Sequence, residues 1–231
     1  MGMERNLLDH KIIFYNGWSR VLQKNSYQTF SNSNPYISNK ITYKNSRIED
    51  RFVGFKGTPA PWITYNVLFS QKIYNHLPLF VNDSTDMRKF EVVYDKRTSV
   101  INLLGEVDIV VNNNLKVLVM ASYFRYELDQ EAKAWHMPSF KMNVAAHYKI
   151  GEKILLTAEL FGIDKTFAKL PGNKTETLKG IADVNVGAEY KFNKFFTIFA
   201  NANNLVGTKH ERWYNYPSYG FNALAGVKLT Y

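Results

Sequence analysis

From residue 99 to the end of the chain, apolar and polar side chains alternate in long runs. Residues 99–111 put Ile101, Leu103, Val107, Ile109 and Val111 on one face and Asn102, Glu106 and Asp108 on the other. Residues 115–128 carry Leu115, Val117, Val119, Ala121 and Tyr123 on a single face. Residues 139–150 set Phe140, Met142, Val144, Ala146, Tyr148 and Ile150 against Lys141, Asn143, His147 and Lys149. The same rhythm recurs in 153–164, 178–192 and 195–206, and it closes the chain in 219–231. A period of two places alternate residues on opposite faces of a β-strand. Ordinary globular strands run about 5–6 residues, whereas crossing a bilayer takes roughly 9–11 tilted ones. The 219–231 segment is too long for an ordinary globular strand and long enough to cross a bilayer, and it ends the chain on an aromatic ring, Tyr231.

Earlier in the chain the pattern is weaker. Residues 11–23, 46–57 and 62–74 read as strands, the second poorly because Arg47, Glu49, Asp50 and Arg51 crowd its start. The spacing therefore predicts about ten strands. Short connections fall at 58–61, 112–114, 151–152 and 193–194, and long ones at 24–45, 75–98, 129–138, 165–177 and 207–218. Strands that run up and down between short turns at one end and long loops at the other give an antiparallel transmembrane β-barrel. The whole of 1–231 reads as one barrel segment, with the strongest pattern over 99–231.

Alternation alone also suits a soluble barrel with an apolar interior. Aromatic residues separate the two readings. Trp62, Tyr148, Tyr190, Phe192, Phe195, Phe196 and Tyr231 gather near the short turns, and Tyr123, Trp213, Tyr214, Tyr216 and Tyr219 near the long loops. Two aromatic bands suit two membrane interfaces. No run of about 18 apolar residues is present, so no membrane-spanning helix is expected. The formal net charge of +9 comes from scattered basic residues, with no block of like charge, and suits a polar lumen better than nucleic acid. Cysteine is absent, which removes disulfides and thiolate chemistry. His10, His76, His136, His147 and His210 have no ligand spacing, so no metal and no cofactor are expected. His136 and His210 read as solvated outer-loop residues and His147 as a lumen residue, and no acid–base or nucleophilic constellation marks an enzyme.

Asn204-Leu205, the basic and aromatic stretch from Lys209 to Pro217, Gly220-Phe221-Asn222 and the terminal Tyr231 resemble the end of TonB-dependent receptor barrels of the Bacteroidetes outer membrane. KAWHMPSFK at 133–141 and Phe80-Val81-Asn82-Asp83 resemble them more loosely. The resemblance implies an outer membrane of a Gram-negative bacterium, uptake of a solute, and a TonB-type energy-coupling protein as partner. Such receptors carry a plug domain and about 22 strands. Neither a plug nor an export signal is seen in this sequence, so the expectation is the C-terminal part of a receptor barrel. The alternatives are a complete ten-stranded barrel acting as porin or adhesin, in which 11–23 pairs with 219–231, and a soluble barrel that binds an apolar ligand.

Two sets of residues are candidates for function. Tyr219, Phe221, Val227, Leu229 and Tyr231 resemble the terminal-strand signal read by the barrel-assembly machinery, which acts by strand addition; facing membrane lipid is the plainer role for the same side chains. Lys209, His210, Arg212, Trp213, Tyr214 and Tyr216 are candidate outer-loop contacts for an anionic ligand or sugar, set against a plainer role as interfacial aromatics and cations.

Overall fold

A computed structural model describes residues 2–230. Eleven strands form one sheet: β1 (Gly2–Leu8), β2 (Ile12–Gln23), β3 (Ser46–Ala60), β4 (Ile63–Asn82), β5 (Phe90–Val110), β6 (Leu115–Glu127), β7 (Phe140–Ile150), β8 (Ile154–Ile163), β11 (Ile181–Lys191), β12 (Phe196–Asn203) and β15 (Asn222–Leu229). Each pairs antiparallel with its neighbours in chain order. The long connections hold the remaining elements: a helix α1 (Tyr27–Ser33), a hairpin β9 (Thr166–Leu170) and β10 (Lys174–Leu178), and a small hairpin β13 (Glu211–Trp213) and β14 (Tyr216–Pro217).

The registers put the alternating residues of neighbouring strands in line. Leu103 sits opposite Phe69 and Tyr123, Val144 opposite Val119 and Leu160, and Ala188 opposite Leu156 and Ala200. One face is thus apolar from β3 to β15, and its large side chains are open; Leu103 is 49% and Ile198 46% exposed. Monomeric soluble proteins rarely leave so wide an apolar patch uncovered. The other face carries hydrogen-bonded polar groups. Tyr15 donates to Asn66 (2.6 Å), which donates to Glu106 (2.8 Å), and Asn143 and Asn185 both donate to Glu159.

Several expectations are corrected. The sheet has eleven strands, because residues 2–8 form β1, hydrogen-bonded to β2. Strand 11–23 lies between β1 and β3, so the pairing with the terminal strand that a closed ten-stranded barrel requires is absent; β1 and β15 are the two edges of the sheet. The terminal strand covers only 222–229. Tyr219 and Phe221 precede it, and Tyr231 lies outside the described residues. The 24–45 and 165–177 loops contain α1 and the β9–β10 hairpin.

The largest correction concerns 75–98, expected as a connection. β4 continues through Pro78 to Asn82 and pairs with β5 from Phe90 onward, leaving only 83–89 as a turn. Here the alternation fails because loops cover both faces of the hairpin, and a strand buried on both faces reads as a continuous apolar run.

Gly57 shows where the backbone admits no side chain. A Cβ there would lie 2.1 Å from the carbonyl oxygen of Lys11, in the β1–β2 turn, which has no room to move because Thr58 N–H donates to the His10 carbonyl. Gly57→Ala should therefore destabilise the chain by about 1–3 kcal/mol through overpacking. Chemical denaturation compared with Gly105→Ala, where nothing crowds the added carbon, checks this.

Candidate functional site

The protein's buried apolar clusters lie at the long-loop end, on the part of β4–β5 that projects past its neighbours. Leu77, Leu79 and Val81 pack against Trp135, with Leu128, Met137 and Phe167 around them. Phe30, Ile37 and Val92 pack with Ile41, Phe80 and Tyr94. One cluster brings in the 128–139 loop and the other brings in α1 and the residues after it.

The loops are tied to the hairpin by polar contacts. The Asp95 carboxylate, fully buried, accepts from the backbone N–H groups of Asp129 (3.0 Å), Gln130 (2.7 Å) and Glu131 (2.9 Å) and from the Thr98 hydroxyl (2.6 Å). Glu131 then accepts from the Trp135 indole and from Lys169 of β9, both at 2.8 Å. At the start of β5, Phe90 N–H donates to the Tyr36 carbonyl and Ser38 N–H to the Phe90 carbonyl.

The 204–221 loop is closed by Asn204, whose φ of 55° is left-handed, a conformation asparagine tolerates. Its N–H donates to Asn185 (3.1 Å) and its side-chain amide to the Tyr219 carbonyl (2.5 Å). The Asn-Leu pair noted in the sequence thus fixes both ends of this loop. Trp213 is buried, with ring centroids 5.3 Å from Phe80, 5.4 Å from Phe90 and 4.9 Å from His136. Tyr216 stacks on Tyr36 at 3.3 Å and donates its hydroxyl to the Arg88 carbonyl (2.5 Å) at the hairpin tip.

Beneath these loops lies a cavity of about 290 Å³ lined by Gln23, Thr29, Tyr74, Trp135, His136 and Arg212 among others. Phe30, Tyr74, Phe80, Trp135 and Trp213 supply aromatic walls beside polar groups. Of the six loop candidates, Arg212 and Trp213 reach the cavity. Tyr216 serves the hairpin tip, and Tyr214 sits in the turn between β13 and β14. Lys209 is exposed, and the His210 ring faces the Thr208 carbonyl at 3.2 Å. Of the terminal-strand candidates, Val227 faces Ile198 and Leu229 faces Phe196 on the apolar side.

His136 corrects the expectation of a solvated side chain: it is 3% exposed, at a left-handed φ of 57°. Its Nδ1 lies 3.1 Å from the Phe80 carbonyl, which can only accept, so Nδ1 carries the proton and Nε2 is a buried acceptor without a partner among the described residues. Burial pushes the imidazole down to about 4, and it is neutral at pH 7. No periodicity marks this residue. The only sequence signal was its place in the Trp135-His136 stretch that resembles receptor barrels.

No family model matches the sequence, and no curated protein matches it. Solved structures do match in fold. The ferripyoverdine receptor of the outer membrane of Pseudomonas aeruginosa superposes with a TM-score of 0.72 at 12% identity, over 99% of this chain and 32% of that one. The copper transporter OprC gives 0.74 at 10% identity, over 100% and 39%. The siderophore receptor PirA from Acinetobacter baumannii gives 0.74 at 10%, over 100% and 40%. The fold is that of TonB-dependent outer-membrane receptor barrels, and the chain spans between 32% and 40% of the length of these three.

Protonation tests the packing of His136. Its folded pKa lies below the unfolded value of 6.5, so the unfolded state takes up the proton first and stability falls as pH drops from 6.5 towards about 4. The loss across that window is roughly 3 kcal/mol. Amide protection factors in 128–139, taken relative to the intrinsic exchange rate at each pH, should fall over this range, and in His136→Gln that added pH dependence should be gone; an equal response in both proteins would contradict the buried neutral imidazole.

Proposed function

We propose that this chain is the C-terminal part of the wall of a TonB-dependent receptor barrel, which admits a solute across a bacterial outer membrane. The observation that carries the reading is the open eleven-stranded sheet, apolar on one face and polar on the other, with its loops folded into a cap at one end. β1 and β15 both run towards the short turns, so closing the sheet on itself would need a parallel seam. A fully antiparallel barrel has an even number of strands, so closure takes an odd number more, supplied by the rest of the receptor wall. Bound lipid would cover the apolar face. The barrel-assembly machinery would read β15, whose second edge has no partner among the described residues. A TonB-type protein would couple uptake through a plug domain.

The solute would meet the cap, where Arg212 and Trp213 line the cavity. A guanidinium beside indole and phenol rings suits an anionic solute with an apolar or aromatic body. By likeness to the neighbours called siderophore receptors, a ferric siderophore is the first probe. The soluble-barrel alternative loses ground because the chain leaves its apolar face uncovered.

Two measurements test the reading on the full-length protein. Leu160→Lys, on the apolar face, should cost about 2–4 kcal/mol for refolding into lipid bilayers. Ala145→Lys, opposite Glu159 on the polar face, should cost little. Equal costs, or a protein that stays soluble without detergent, would defeat the membrane assignment. Arg212→Gln should weaken binding of an anionic ferric siderophore by about tenfold, from the loss of one charge-assisted hydrogen bond, as read by quenching of tryptophan fluorescence. Unchanged binding would move the solute site away from this cavity.

A further inference from the structure

All five arginines of β2 to β6 lie on the apolar face of the sheet, beyond its apolar belt, at the long-loop end. The strand registers make this explicit. Val53, Phe69, Leu103 and Tyr123 form one cross-strand row of the belt. Two residues further towards the loops, the same face presents Arg51 on β3 and Arg125 on β6, with Trp18 on β2 opposite Arg51. The next row brings Arg20 opposite Glu49, and the row after that Arg47 on β3 and Arg97 on β5, both opposite Asn75. All five side chains are exposed.

Lysines keep to the other face. Lys56, Lys72 and Lys116 pair across to Asn66, Asp50 and His147 in the polar register. The segregation is therefore by residue type, since both faces carry cations. Two carboxylates temper the belt: Glu49 pairs with Arg20 (3.3 Å) and Arg51 (2.6 Å), and Glu127 with Arg125 (3.0 Å). Among the described residues Arg47 and Arg97 have no ion pair, so the belt keeps excess positive charge. The Arg20 guanidinium lies 4.6 Å over the Trp18 ring, and the Trp18 indole donates to Glu49 (3.0 Å), an amphipathic aromatic at the border between apolar and charged rows.

We infer that Arg20, Arg47, Arg51, Arg97 and Arg125 form a belt that binds phosphate-bearing lipid headgroups where the apolar face meets the membrane surface. The inference rests on the membrane reading of this face. Solvated cations alone would not need to be arginine, to share one face, or to follow the apolar belt directly. A planar guanidinium offers two parallel N–H groups to a phosphate, which an ammonium does not. A headgroup phosphate just above the acyl chains would meet Arg51 and Arg125, with Arg47 and Arg97 one charge layer further out. The occupant is a lipid because the cations continue the surface that acyl chains cover.

The test uses the full-length protein in uncharged detergent, titrated with bisphosphorylated lipid A, with the same lipid dephosphorylated, and with phosphatidylcholine. Retained lipid is read by native mass spectrometry. Lipid A should be held in preference to both others. Arg47→Gln with Arg97→Gln should lower its affinity about fivefold for each cation. Replacing the same two residues with lysine should give an intermediate loss, which a folding defect would not. Three results would overturn the proposal: equal retention of the dephosphorylated lipid, unchanged affinity in the double glutamine variant, or displacement of lipid A by millimolar inorganic phosphate. A protein that retains no lipid and needs no detergent would overturn the membrane reading itself, and the belt with it.

Discussion

Past the last rows shared with β3 and β6, the β4–β5 hairpin is paired with no further strand of the sheet, and its edges and faces must be satisfied by something else. A strand edge presents unpaired N–H and C=O groups, and a buried one costs free energy unless it is paired. The loops supply the pairing. Residues 36–38 bond to Phe90, the His136 ring holds the Phe80 carbonyl, and the buried Asp95 carboxylate gathers three N–H groups of the 129–131 turn. The cap, the cavity and the position of Trp213 all depend on this covering.

Asp95 shows how much one residue organises. Burial alone would raise its pKa, yet the hydrogen bonds from Asp129, Thr98, Glu131 and Gln130 outweigh that and hold the carboxyl below its usual range. The same contacts turn the chain towards Glu131, which positions Trp135 and Lys169. Trp135 then packs on Leu77, Leu79 and Val81, so a polar clamp and an apolar cluster fix one loop together. The 204–221 loop arrives separately, closed by Asn204, and reaches the same hairpin through Trp213 and Tyr216.

The two ends of the sheet differ in kind. At the short-turn end the apolar face finishes in aliphatic and aromatic side chains such as Ile150, Ile154 and Tyr190. At the loop end it passes through Trp18 into arginines before the cap begins. The two ends of this face thus differ in side-chain type as well as in loop length.

By itself the sequence determined the strand-rich fold, the two unlike faces of β5 to β12, the short turns and the alternation of short and long connections. These depend on nearest neighbours along the chain: a strict period of two survives wherever one face differs from the other. It also pointed to the 204–217 stretch. Tertiary structure alone decided the rest. Strand β1 was invisible because edge position and mixed polarity erase the pattern, and the β4–β5 extension because loops cover both its faces. His136 and Asp95 acquire their roles from partners 56 and 34 to 36 residues away, which no local spacing can announce. The failure of the sheet to close on itself is likewise a property of the whole topology, since the chain order leaves β1 and β15 running in the same direction at opposite edges.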